Sequence, residues 1–141
     1  MPNATKYFYP ADGNWILQQR QIKISTAFTE GSALCIDIVT NTTTGDLDLM
    51  GTTNAVGADF QGILAEPVAS TDADYATSGK TKAVWVPVAP NAKAFFTVGT
   101  GTFTTIDIGK TVQVTSGALG LSVDTAGLGA RITDYISSTR G

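Results

Sequence analysis

The sequence predicts an all-β fold: a small single-domain β-barrel or sandwich of short strands with an extended N-terminal arm. Two observations carry that reading. Apolar residues recur at a period of two in short runs, as in Leu34, Ile36 and Ile38 or Val84, Val86 and Val88, which is the spacing of a strand with one face inward. Gly, Asn, Thr and Pro clusters punctuate those runs at close intervals, as they do in sandwiches and barrels. With 141 residues there is chain enough for one domain with a real core.

Taken in order, residues 1–19 read as the arm. Pro2, Pro10 and Gly13 oppose a helix, and Tyr7, Phe8, Tyr9 and Trp15 crowd together. Such a segment docks either on its own domain or on a neighbour. Residues 20–141 read as the β-rich body. Ile22 to Phe28 alternates and is expected as a strand, and residues 33–50 form a hairpin around the turn Asn41–Asp46. Within it, Cys35 is expected as a small buried hydrophobe, because a lone cysteine has no internal disulfide partner.

After a Gly/Asn/Thr loop, Phe60 to Pro67 is a short apolar strand. Ser70 to Gly79 is the one plausible helical segment, with Thr71 as its cap, Asp74 reciprocating and Gly79 as its stop. Ala83 to Val88 is a strong strand that lies at an edge or ends at Pro87, which lacks an amide donor. Lys93 to Val98 forms another strand, and Thr105 to Gly109 a tight turn. Val112 with Val114, Leu121 with Val123, and residues 130–136 complete about eight or nine strands. The inward positions are expected to include Ile24, Leu34, Ile36, Ile38, Ile63, Val84, Val86, Phe96, Val112, Val114 and Ile132.

The residues that usually perform chemistry are scarce. The chain has no histidine, one cysteine and 15% charged residues, whereas general acid–base sites, nucleophile triads and metal centres rely on those groups. The expectation is a protein that is not an enzyme and needs no cofactor or metal, with no catalytic residues. No Lys or Arg lies between Lys23 and Lys80, while that stretch holds eight carboxylates. Phosphate recognition needs clustered cations, so nucleic acid is not an expected partner. No run approaches the ~18 apolar residues of a membrane helix, and the start lacks the basic-then-apolar pattern of a signal peptide. A membrane is therefore not an expected partner either, and the Asn-x-Thr triplets at Asn3 and Asn41 are not expected to be glycosylated.

Three motifs invite chemistry and fail on context. Gly79-Lys80-Thr81 and Gly109-Lys110-Thr111 lack the earlier glycine of a phosphate loop, having Asp74 and Thr104 there, and strands follow both. The pairs Asp46/Asp48 and Asp72/Asp74 resemble cation ligands, but a calcium loop needs a ligand at Ala76 and glycine at Thr77. Asp46 and Asp48 read instead as a solvated rim, and Asp72 as a helix-start acid. No aromatic platform outside the arm and strands supports a glycosidase pair.

The second half is similar to the C-terminal half of small structural proteins of tailed-bacteriophage heads. The likeness rests on a Val-rich strand before an aromatic one (Val84–Val88, Phe95-Phe96), on Gly99–Thr102 leading to Asp107–Lys110, and on the closing Ile136–Arg140. FQGILAEPV resembles a strand of capsid decoration, or cement, proteins. The resemblance covers roughly residues 60–141. It implies a compact β-rich protein on the outer surface of the virion head, stabilising the capsid by bridging major capsid subunits. It also implies self-association, as a homotrimer, and an N-terminal arm that binds the capsid, here through Tyr7, Phe8, Tyr9 and Trp15. The alternatives are a head–tail connector, tail-tube or fibre component, and a carbohydrate-binding surface module.

Overall fold

The computed structural model describes residues 7–36, 46–49, 60–114, 119–126, 130–137 and 139–141. The fold is all-β. Among the described residues its eleven strands are β1 (Tyr9–Pro10), β2 (Trp15–Gln21), β3 (Ala33–Ile36), β4 (Leu47–Leu49), β5 (Phe60–Leu64), β6 (Thr81–Pro87), β7 (Ala94–Phe95), β8 (Val98–Thr100), β9 (Thr111–Val114), β10 (Leu121–Ala126) and β11 (Ala130–Arg131). Among the described residues the one helical piece is a 3-10 turn at Thr105–Asp107.

A five-stranded antiparallel sheet in the order β2-β6-β5-β3-β4 organises the molecule. A four-stranded sheet, β11-β9-β10-β8, packs on one of its faces, and β1 pairs with β7 in a short ribbon. The five-stranded sheet buries apolar side chains on both faces. Ala33, Cys35 and Ile63 point into a core shared with Val112, Val114, Leu121 and Val123 of the smaller sheet and with Phe8, Phe96, Phe103 and Ile132. Their neighbours Leu34, Leu64 and Val84 point the other way, into a second core with Ile22, Phe28, Leu47 and Val68. Strand pleating sends consecutive residues to opposite faces, so β3 must be apolar at every position, and its Ala-Leu-Cys-Ile is.

Loops close the second core. Phe28 and Val68 exchange two main-chain hydrogen bonds, each of 2.9 Å, across its open side. At one end the sheet curls until its two edge strands nearly meet. Ile22 bridges Leu47, and Lys23 N donates to Leu47 O at 3.0 Å. Among the described residues the edges do not join along their length, so the sheet forms a partly curled sandwich layer there and no barrel closes.

The structure departs from the expected elements in three places. The first long strand is Trp15–Gln21, not 22–28, because Ser25 takes a positive φ of 52° and turns the chain out of the sheet. Ile24 is consequently exposed, although its place in the alternation predicts burial. Residues 70–79 form successive turns in place of a helical segment. Each turn closes on an i−3 carbonyl, as in Asp72 N to Ala69 O and Tyr75 N to Asp72 O, and the Asp72 carboxylate, not Thr71, accepts the capping N–H, that of Ala69. The strand expected at 93–98 breaks into β7 and β8 around Phe96 and Thr97.

Most other expected inward residues are buried, but Ile36 and Val86 are only half-buried and Ile38 lies outside the described residues. β6 is a central strand that ends at Pro87, and its pairing with β5 lapses before the proline is reached. Gly62 marks the closest approach of β5 to β6. A Cβ there would sit 2.5 Å from the Trp85 carbonyl oxygen and 2.6 Å from Val84 Cγ1.

Two substitutions test the two-core arrangement. Val84→Asp is expected to unfold the protein, because an unpaired buried carboxylate costs several kcal/mol against a total of about 5–15 kcal/mol. Ile24→Asp is expected to leave the thermal midpoint within a few degrees. Circular-dichroism melts of both variants check this, and equal sensitivity at the two positions contradicts the assignment.

Candidate functional site: clefts beside the N-terminal segment

The aromatic N-terminal segment is fastened to the body from residue 7 onward. Phe8 N donates to Gly31 O at 3.2 Å, Tyr9 and Pro10 pair with Phe95 and Ala94, and Ala11 N donates to Lys93 O at 2.9 Å. The Lys93 carbonyl also accepts Trp15 Nε1–H at 2.8 Å, and the indole stands edge-on to Phe60 at 6.2 Å. The Asp12 carboxylate closes the bend, accepting N–H bonds from Asn14 at 3.0 Å and Lys93 at 3.1 Å. The Asn14 backbone N–H is the main reason that Asp12 titrates below the usual carboxylate range, against a partial desolvation that opposes it. A boundary at residue 19 therefore falls inside β2, which is a full member of the large sheet.

Two features let the segment lie where it does. Gly31 has a φ of +89°, and a Cβ on it would come within 2.9 Å of Tyr7 Cβ. Only glycine fits both that conformation and that approach. Arg140 holds the segment from the other side. Its Nη1 donates to Tyr7 O at 3.2 Å and to Thr97 Oγ1 at 2.9 Å, and its Cζ lies 5.7 Å from the centre of the Phe95 ring. Burial pulls this guanidinium below its ordinary pKa.

The four aromatics of the segment do different work. Phe8 is buried in the core between the two sheets. Tyr7, Tyr9 and Trp15 are half-buried and line clefts on either side of it. The first cleft, of about 410 Å³, runs between Tyr7–Tyr9, Leu17 of β2 and Trp85 of β6, with Glu30 and Glu66 at its rim. The second, of about 700 Å³, has Phe8, Trp15, Phe60 and Phe96 as walls, with Arg131 and Asp134 among its polar neighbours. Sequence reading found the N-terminal rings by their crowding. It missed Leu17, Trp85, Gly31 and Arg140, which join the site only through strand pairing and chain reversal.

The lysines of the two Gly-Lys-Thr motifs are engaged elsewhere. Lys80 is buried, donates to Tyr75 O at 2.8 Å and lies 5.2 Å from the centre of the Tyr75 ring. Lys110 donates to the buried Asp107 carboxylate, whose other oxygen accepts Thr104 N–H at 2.9 Å. The Lys110 hydrogen bond, followed by that of Thr104, holds Asp107 below the usual carboxylate range. Asp46 and Asp48 are not a solvated rim: they are only 4% and 8% exposed. Asp46 accepts from Gln21 Nε2, and Asp48 pairs with Lys23 at 3.2 Å. The curl that brings β2 to β4 carries these acids inward. Asp74 pairs with Lys82 at 3.3 Å.

Gly31→Ala is expected to lose about 1–3 kcal/mol from the left-handed conformation alone and to loosen Tyr7 and Phe8. A lowered thermal midpoint, with faster amide exchange at Phe8 than at Val84, reports this, and an unchanged midpoint removes Gly31 from its assigned role. Because Asp12 and Asp107 titrate below their unfolded values, the stability they add is full above the ordinary carboxylate pKa of about 3.9 and is lost as pH falls through the lower folded values. Asp107→Asn is expected to flatten the acid limb of a plot of thermal midpoint against pH below about pH 4. An unchanged limb rules that contribution out.

No family model matches the chain, and no curated protein and no solved structure is significantly similar to it.

Proposed function

We propose that this protein is a non-enzymatic binding module of the outer surface of a tailed-phage head, which stabilises the capsid by bridging major capsid subunits. The observation that carries the reading is the N-terminal segment. It is pinned to the body by Gly31, Lys93 and Arg140, yet leaves Tyr7, Tyr9 and Trp15 half-exposed around two clefts with aromatic walls. Pre-organised aromatics beside clefts are what a docking surface uses, because little side-chain freedom is lost on binding. The low charge of the chain supports the same reading, since such surfaces are cheap to desolvate. The resemblance of residues 60–141 to head proteins supplies the partner, the major capsid protein. On the shell, three copies gather around a three-fold or quasi-three-fold position, where closed symmetry buries a repeated patch.

This reading changes how the segment works. An arm free to add a strand to the capsid needs unpaired backbone, but residues 9–10 and 15–21 already pair within the domain. The rings are thus offered from a fixed body, and the partner brings the mobile element. A head–tail connector, tail-tube or fibre component uses the same materials at lower copy number. A carbohydrate-binding module draws on the aromatic clefts alone.

The double variant Tyr7→Ala/Tyr9→Ala is expected to stay folded, because Phe8 and the Gly31 contact remain. It should lose at least tenfold in affinity for expanded heads in a cosedimentation assay, since each desolvated anchor is worth about 2 kcal/mol. Undiminished binding by a folded variant sinks the reading. Copy number on purified particles separates the alternatives, with hundreds per head for decoration and about a dozen or fewer for a connector or fibre.

A further inference from the structure

The first cleft carries a charge that its aromatic walls do not need. Its floor follows from strand pairing. Leu17, Trp85 and Ile63 stand in one cross-strand row on β2, β6 and β5, and register partners share a face of a sheet. Ala83 lies two residues before Trp85 on that face, and Ala65 continues β5 beside it, its N–H donating to Ala83 O at 2.9 Å. Two alanines next to an indole leave a hollow at its flank. Tyr7 and Tyr9, placed by the Gly31 contact and by the pairing with β7, border the same hollow.

Two carboxylates complete the lining. Glu66 Oε2 accepts Ala83 N–H at 3.3 Å, which sets that carboxylate at the alanine end of the hollow. Glu30 directly precedes Gly31, whose carbonyl accepts Phe8 N–H, so it stands where the N-terminal segment crosses. Among the described residues the lining contains no Lys or Arg. Lys82 lies 3.8 Å from Glu66 Oε1 but closer to Asp74, at 3.3 Å. One ammonium shared between two carboxylates leaves that group net negative.

Negative charge beside tyrosine and tryptophan rings is complementary to a cationic side chain. A ring attracts a cation placed within about 6 Å of its centre, and the alkyl stem of such a side chain covers apolar surface such as Leu17 and Ile63. The molecule uses the same chemistry internally, with Arg140 over Phe95 and Lys80 over Tyr75. Arginine suits the cleft better than lysine, because its planar guanidinium both stacks on rings and forks onto a carboxylate. A volume of about 410 Å³ is at the small end of ligand pockets, which fits one long side chain and its adjoining backbone.

We propose that the first cleft receives an arginine side chain of the partner, held among the rings of Tyr7, Tyr9 and Trp85 and paired with Glu66, with Glu30 flanking it. This rests on the reading of the N-terminal segment as a docking surface and adds the chemistry of the element that enters.

The isotope-labelled full chain is titrated with Nα-acetyl-arginine amide, with its neutral isostere Nα-acetyl-citrulline amide, and with maltose. The indole N–H of Trp85 is followed by NMR, and that of Trp15, in the other cleft, is the internal reference. The arginine probe is expected to shift Trp85 saturably, with the citrulline probe about tenfold weaker. Glu66→Gln keeps an oxygen for the Ala83 N–H and removes the charge. It is expected to stay folded and to bind both the arginine probe and expanded heads about tenfold more weakly. If it fails to fold, Glu30→Gln decides by the same measurements. An equal response to citrulline or maltose, a shift at Trp15 alone, or an undiminished arginine response in the folded variant overturns the proposal. Equal head binding by wild type and variant overturns it too, and leaves the head reading standing. A wild type that takes the arginine probe but ignores heads supports the cleft's chemistry and overturns the head reading instead.

Discussion

One sheet buried on both faces is the constraint on which the rest of the structure depends. Antiparallel sheets commonly leave one face in water. Here β3, β5 and β6 have apolar contacts above and below, so Leu34, Leu64 and Val84 serve one core while Ala33, Cys35 and Ile63 serve the other. Each fully buried side chain of this size contributes about 1.5–3 kcal/mol. The arrangement accounts for the glycine at position 62, where β6 lies too close for any side chain. It also accounts for an inert thiol at Cys35, which fills space at the centre of the sheet.

Incomplete cover on the first core then decides where a surface can form. The large sheet's buried members of that core, Ala33, Cys35 and Ile63, all come from β3 and β5. β6 and β2 contribute only the half-buried Trp85 and Trp15. The N-terminal segment crosses this remaining area and covers part of it with Phe8. What it leaves is a pair of clefts with aromatic walls. Arg140, at the far end of the sequence, ties the segment to Thr97. The surface is therefore set by contacts between distant residues, Arg140 and Tyr7 being 133 positions apart.

Charge is spent on holding loops. Lys80 is tied to the turn before it, Lys110 and Asp107 brace the 3-10 turn, and Lys82 is shared between Asp74 and Glu66. Asp46 and Asp48 fasten the place where β2 meets β4. Among the described residues no three or more of Cys, Asp and Glu gather as a metal site would require. The acids and lysines that look like chemistry in the sequence thus have structural partners within a few ångströms.

The sequence by itself determined the class of fold and most of its strands, because period-two alternation is a local property that the backbone imposes. Leu34, Ile63, Val84, Val112, Val114 and Ile132 were legible as core for that reason. So was the crowding of Tyr7, Phe8, Tyr9 and Trp15, rings that the structure sets along the two clefts. Alternation could not say that the sheet has two cores, since a residue facing away from one core looks the same whether it meets water or a second layer. Nor could it place β2, whose Gln-rich run carries no period because both of its faces are partly open. Ile24 was misplaced because the left-handed turn at Ser25 interrupts a perfect pattern. The burial of Asp46 and Asp48 and the clefts were decided by tertiary structure alone, since each arises where segments distant in sequence meet or fail to meet.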